Sequence, residues 1–212
     1  MPNTRPQTGK TSRIARIYEK IRSKFKSFVV RAPREMRILL LGLDYAGKTT
    51  LVNQLKLKEG KEVETEVFPT MGVNVETISL RNLRLQILDI GGQFAFRETL
   101  WKSFLLDSAP DLLVYVVDSA ESDHRMKIAK DAFWSVASFL EGKENIDIVV
   151  FANKQDLEHA RPVGEVAHEL DLTRAIRSGA RSFSVYPISC LTGEGLEVAF
   201  DFIYEKLSTL VS

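Results

Sequence analysis

Gly42-Leu43-Asp44-Tyr45-Ala46-Gly47-Lys48-Thr49 sets two glycines, an ammonium and a hydroxyl in the spacing G-x-x-x-x-G-K-[ST]. In that pattern the glycines allow a tight loop whose N–H groups surround phosphates. The lysine reaches the β/γ-phosphates and the hydroxyl ligates Mg²⁺. Asp44, Ala46, Gly47, Lys48, Thr49 and Thr50 are therefore expected to hold a nucleotide's phosphates, with Thr49 also on the metal. The flanks agree, since an apolar run precedes the loop and a helical pattern follows it. Gly9-Lys10-Thr11 offers a useful contrast. It also reads G-K-T, but Thr4 stands where the first glycine belongs and no apolar run precedes it.

A phosphate loop does not choose between adenine and guanine. Asn153-Lys154-Gln155-Asp156 does, because a carboxylate at Asp156 can accept both the ring N–H and the amino group of guanine. Adenine presents neither in that arrangement, and an unpaired carboxylate there would be costly. This argues against a phosphate-loop kinase or ATPase. Asp89-Ile90-Gly91-Gly92-Gln93 supplies a third set. Asp89 can hold a Mg²⁺-bound water, Gly92 can offer its N–H to the γ-phosphate, and Gln93 can orient the attacking water as the catalytic residue. Taken alone, this stretch would be read as a turn with a glycine pair.

The elements that must position these residues alternate. Strands are expected at 36–42, 73–80, 83–90, 112–118, 146–152 and 183–188, and helices at 48–58, 126–140, 162–170 and 196–210. Strands rich in Val, Ile and Leu and separated by helices indicate an α/β fold: a mostly parallel sheet with helices on both faces. Only Arg81-Asn82 separates the second and third strands, so these should form an antiparallel hairpin at one edge.

Gly42–Thr50 (GLDYAGKTT), Pro69–Glu76 (PTMGVNVE), Asp89–Gln93 (DIGGQ), Asn153–Asp156 (NKQD) and Ser189–Leu196 (SCLTGEGL) together resemble the Arf family of small GTPases, Arf/Arl/Sar-like, from about Met36 to the C-terminus. The resemblance implies a phosphate-loop G domain over 36–212 that binds GTP or GDP with Mg²⁺ and hydrolyses GTP slowly. It places Thr70 as a switch threonine on Mg²⁺ in the GTP state, Gly92 and Gln93 in the second switch, and Ser189 and the Cys190 N–H beside the guanine. It also implies that the hairpin slides along the sheet when GTP binds and expels an N-terminal helix. Vesicle traffic is the cellular setting that this family suggests. Several residues depart from the pattern. Position 2 is Pro rather than Gly, so the N-myristoylation of the family is not expected there. Gln93 stands where the Sar branch has His, Leu88 replaces the usual aromatic, and Arg97 and Trp101 are one residue further apart than in R-x-x-W.

The net charge of +1 over 212 residues hides an asymmetry, for the first 35 residues carry ten basic side chains against two acidic ones. A basic arm on an acidic body suits an anionic partner. Residues 1–11 read as a disordered polar tail. Over 12–32 the residues Ile14, Ile17, Tyr18, Ile21, Phe25 and Phe28 recur at helical spacing with Lys and Arg beside them, a basic amphipathic helix. Its expected partner is an anionic membrane surface, met by residues 12–30 in the GTP state. Nucleic acid would leave the interleaved Ile and Phe unused. A helix that stays packed on the domain is the plainer alternative.

No apolar run approaches the roughly 20 residues of a membrane span. The basic N-terminus lacks the apolar stretch of a signal peptide. The single cysteine precludes an internal disulfide. The expectation is thus a monomeric, cytoplasmic protein that is reversibly peripheral on membranes and works with an exchange factor, an activating protein and effectors. Its rival is a GTP-binding recruitment scaffold with little hydrolysis, disfavoured by Gln93. His124, His159 and His168 lack metal-ligand spacing, and a surface or structural role is expected for them.

Overall fold

The computed structural model describes residues 35–59, 64–68, 73–90, 97–140, 146–177 and 183–210, together with Ser23. The chain divides into two units, Met1–Arg34 and Glu35–Ser212, and the second holds the sheet and its helices. The expected tail at 1–11 lies outside the described residues. So does the expected helix at 12–32, apart from Ser23, which is helical and exposed.

In chain order the elements are β1 (Met36–Leu41), α1 (Lys48–Glu59), β2 (Glu64–Phe68), β3 (Val73–Leu80), β4 (Leu83–Ile90), α2 (Arg97–Ser108) and β5 (Leu112–Asp118). They continue as α3 (Asp123–Ala137), β6 (Asp147–Asn153), α4 (Val163–Glu169), α5 (Leu172–Arg177), β7 (Phe183–Pro187) and α6 (Leu196–Ser208). The strands form one sheet in the order β2-β3-β4-β1-β5-β6-β7. The pairs β4–β1, β1–β5, β5–β6 and β6–β7 are parallel. The β3–β4 hairpin is antiparallel, with Leu80 opposite Leu83 across the two-residue turn. That turn needs a left-handed residue, and Arg81 supplies it at φ 55°.

One strand was not signalled by the sequence. β2 pairs antiparallel outside β3, so the hairpin is extended by a further strand at its edge. Its residues, Glu-Thr-Glu-Val-Phe, include two glutamates and show no long apolar run. Edge strands tolerate such residues because one side of the ladder faces water. Two helices also went unread. α2 has Trp101, Phe104 and Leu105 at helical spacing, but no capping residue precedes Arg97. α5 is only six residues long.

Strand alternation explains how the core is split. Ile38 and Leu40 in β1, Ile78 and Leu80 in β3 and Val114 and Val116 in β5 join Leu51, Val52 and Leu55 of α1 and Ala199, Phe200 and Ile203 of α6 in one cluster. The alternate residues, such as Leu39, Leu41 and Tyr115, point to the other face. There Trp101 of α2 meets Tyr115 edge-on at 6.2 Å, and Tyr115 meets Phe133 of α3 at 5.2 Å. The Tyr115 hydroxyl donates to the Ala129 carbonyl at 2.8 Å, so its one polar atom is satisfied inside the core. Each such fully buried side chain contributes about 1.5–3 kcal/mol of transfer free energy. Both faces are thereby covered, which is what a parallel sheet requires.

The candidate nucleotide site

Parallel neighbours end on the same side, so β1, β4, β5 and β6 deliver their C-terminal loops to one edge of the sheet, where α/β ligands bind. The first loop, between β1 and α1, lies hard against the sheet. A Cβ on Gly42 (φ 148°) would sit 2.3 Å from the Val116 carbonyl oxygen. One on Gly47 (φ 101°) would sit 2.1 Å from Nδ2 of Asn153. Glycine is needed at both ends of this loop because neither the backbone angle nor the space admits a side chain.

Lys48 opens α1 and is buried. Its ammonium donates to the carbonyls of Gly42 at 3.0 Å and Leu43 at 2.8 Å. Burial lowers its pKa, and the charges of Asp89 and Asp44 oppose that shift. An ammonium has three N–H donors. Two are spent on the loop and a third suits an anion in the concavity. Thr49 follows, and its hydroxyl donates to Oδ2 of Asp89 at 2.9 Å. Burial raises the Asp89 pKa against the opposing effects of Lys48 and the Thr49 hydrogen bond. A hydroxyl beside a buried carboxylate is an oxygen-donor pair of the kind Mg²⁺ takes, one or two protein ligands with the rest from water and phosphate. Among the described residues no group of three or more His, Cys, Asp or Glu could hold a metal.

The base-side loops are tied to the phosphate loop through Asn153. Its Nδ2 donates to the Ala46 carbonyl at 2.8 Å, and its Oδ1 accepts from the Cys190 N–H at 2.9 Å. The Lys154 ammonium bonds Oδ2 of Asp118 at 2.5 Å, from a left-handed backbone at φ 69°. One Asp156 oxygen accepts from the Ser189 hydroxyl at 2.5 Å. That same hydroxyl accepts from the Thr192 N–H at 3.1 Å, and Gln54 Nε2 donates to the Cys190 carbonyl at 2.8 Å. The Cys190 thiol is buried, and burial first, then Asp156, pushes its pKa up to about 12. A thiol so protonated is no nucleophile, so Cys190 acts in this site through its backbone.

The fold thus gathers Asp44, Ala46, Gly47, Lys48, Thr49, Thr50, Asp89, Asn153, Lys154, Asp156, Ser189 and Cys190 at one edge. Thr70, Gly91, Gly92 and Gln93 lie outside the described residues, as do Ile14, Ile17, Tyr18, Ile21, Phe25 and Phe28. His124, His159 and His168 are exposed. Sequence reasoning missed Asp118, Glu121 and Arg125. Asp118 could have been found, since it ends β5 on the ligand edge. Glu121 and Arg125 carry no motif.

A glycine-bounded phosphate loop under a buried lysine, with an N-K-x-D loop tied to it, defines the class: a phosphate-loop nucleotide-binding protein with a guanine-type base loop. The ADP-ribosylation factor family profile matches residues 21–207, and the chain belongs to that family. It is 41% identical over 176 residues to ADP-ribosylation factor-like protein 1 of Drosophila melanogaster, covering 83% of this chain and 91% of the relative. It is 37% identical over 174 residues to ADP-ribosylation factor-like protein 1 of Saccharomyces cerevisiae, covering 82% and 88%. Among solved structures it resembles the Arl6 BBS3 small GTPase of Trypanosoma brucei with bound GppNp. The TM-score is 0.66 and the identity 28%, over 82% of this chain and 98% of that one. Membership makes the chain a GTP-binding molecular switch of a GTP-hydrolysing family for which membrane and vesicle roles are typical. Among the described residues no helix is long and apolar enough to cross a membrane.

Proposed function

We propose that the protein is a slowly hydrolysing GTPase whose nucleotide state controls the exposure of its N-terminal amphipathic helix. In this reading Lys48 and the N–H groups of 44–50 hold the phosphates, Asp156 reads guanine, and Asn153 and Cys190 hold the base loop beside it. Thr49, Thr70 in the GTP state and Asp89 through a water would hold Mg²⁺, which neutralises phosphate charge. Gln93 orients the attacking water. No arginine in the sequence is assignable as a built-in finger, so turnover is on the order of 10⁻⁴–10⁻² s⁻¹ or below until an activating protein engages.

The observation that carries the nucleotide part is Asn153, whose one amide joins the phosphate loop to the loop after β7. A base and its phosphates can be measured against each other only if those loops are held at fixed separation. The membrane part rests on the basic apolar stripe at 12–30 and on the family's typical membrane roles. It reads the protein as cytoplasmic and reversibly peripheral, responding to an exchange factor, an activating protein and effectors. Liposome co-sedimentation of GTP- and GDP-loaded protein tests the whole proposal. Sedimentation of the GTP form alone is expected, and equal sedimentation of both forms removes the switch from it.

A further inference from the structure

We propose that Arg125 is a positioning residue for the phosphate loop, holding and neutralising Asp44 so that a polyphosphate can bind beside it. The inference rests on reading that loop as a nucleotide site. Asp44 is the one carboxylate among the eight motif residues, a negative charge built into a loop that must accept more negative charge. It lies close enough to Lys48 for its charge to oppose the shift that burial imposes on the ammonium. Left alone, it would support the lysine and repel the ligand at once.

Arg125 resolves that conflict from the first turn of α3, a helix capped by Ser122, whose hydroxyl accepts from the Arg125 N–H at 3.4 Å. Its Nη2 donates to both the backbone carbonyl and Oδ1 of Asp44, each at 3.1 Å, across 81 residues of sequence. Its Nε donates to Glu121 at 2.7 Å. A guanidinium suits this task because its donors diverge in a fixed plane, so one edge is anchored while the other grips. Glu121 is anchored in turn, since its carbonyl accepts from the Arg161 guanidinium. The Arg161 N–H donates to the Ser119 carbonyl at 2.9 Å. Gln155, inside N-K-Q-D, donates to the Ser119 hydroxyl at 2.8 Å and the Arg161 carbonyl at 3.1 Å. Arg125 therefore ends a chain of polar contacts that starts in the base loop, a second tether between base and phosphate loops that does not pass through Asn153.

The competing explanation is an ordinary half-exposed ion pair, which contributes little to stability and nothing to the ligand. Salt dependence and a compensating substitution separate the two. In the full-length chain, Arg125→Gln is expected to speed dissociation of a fluorescent GDP analogue about three- to tenfold at low salt. The acceleration should shrink as salt rises, because the Asp44–phosphate repulsion it exposes is screened. Adding Asp44→Asn should then restore most of the lost retention, since the repelling charge is gone. Arg125→Lys keeps the charge without the fork and should fall between parent and Arg125→Gln. A parental rate in Arg125→Gln overturns the inference. So does an acceleration that ignores salt and survives Asp44→Asn, the signature of a structural role only. Should Arg125→Gln fail to fold, the lysine variant decides: a salt-dependent rate between one and three times the parent's supports the inference, and a salt-independent one overturns it. Guanine-nucleotide binding by the parent is measured first, and its absence would overturn the reading of the site itself.

Discussion

Asn153 in β6 donates to the Ala46 carbonyl at 2.8 Å across 107 residues of chain, while its other amide atom accepts from the Cys190 N–H. Both contacts are buried, and Gly47 has no room for a Cβ beside that amide. The base loop, the phosphate loop and the loop after β7 are one unit because of this side chain.

Asn153→Ala would leave a buried carbonyl and a buried N–H without their partner, a loss of about 1–3 kcal/mol. For a domain of this size that corresponds to a midpoint about 2–4 °C lower per kcal/mol. Nucleotide-free thermal unfolding reads the stability part. A parallel GDP titration should show weaker binding than the stability loss alone explains, because the loops lose their fixed separation. Unchanged unfolding and unchanged affinity together would remove Asn153 as the tie.

Base choice should reside in Asp156. Asp156→Asn replaces an acceptor pair with an amide, which suits the changed edge of xanthine better than guanine. Competition among GTP, XTP and ATP is expected to show the parent selecting GTP and the variant moving towards XTP. The Ser189 hydroxyl already fixes one carboxylate oxygen, so the variant needs little repositioning. Equal ATP and GTP affinity in the parent would sink this assignment.

Gln93→Leu should hold the protein in its GTP form by removing the group that orients water. Single-turnover hydrolysis should fall at least about tenfold, with GTP affinity retained. Hydrolysis at the parental rate would show that Gln93 is not the orienting residue. Thr49→Asn acts elsewhere: it alters the hydroxyl that donates to Asp89 and should weaken GTP more than GDP.

The phosphate loop was legible because its spacing is fixed by backbone geometry; Gly42 and Gly47 occupy angles and clearances that few sequences meet by accident. The central strands were legible for a related reason, since Ile38–Leu41 of β1 and Leu112–Val117 of β5 are buried on both faces and read as apolar runs. β2 was not, because an edge strand need not be apolar and Glu64–Phe68 is not. The start of α3 shows the same limit at smaller scale. Its apolar stripe begins at Met126, but the helix begins at Asp123, where Ser122 caps it. Those three extra residues bring Arg125 into the helix and up to Asp44. No motif marks that contact, since it joins two charged side chains far apart in sequence.

The last expectation concerns the membrane. Ile14, Ile17, Ile21, Phe25 and Phe28 recur at helical spacing, and the apolar stripe they would form is expected to pack on the domain in the GDP state. GTP would draw Thr70 and Gly92 to the γ-phosphate, and the family resemblance implies that the β3–β4 hairpin then slides and closes the place where the helix sat. The freed stripe must leave water again, and a lipid surface is the apolar phase at hand. Affinity is expected to rest on the stripe and on Lys and Arg, worth about 1 kcal/mol each near an anionic surface. Raising salt should therefore weaken binding, and neutral vesicles should bind less than anionic ones. Phe25→Asp with Phe28→Asp should abolish GTP-dependent sedimentation with anionic liposomes while leaving GDP and GTP affinity intact. If the double variant still sediments as the parent does, the stripe is not the membrane contact. If the parent sediments equally in both nucleotide states, the helix is a constant anchor and the nucleotide governs something else.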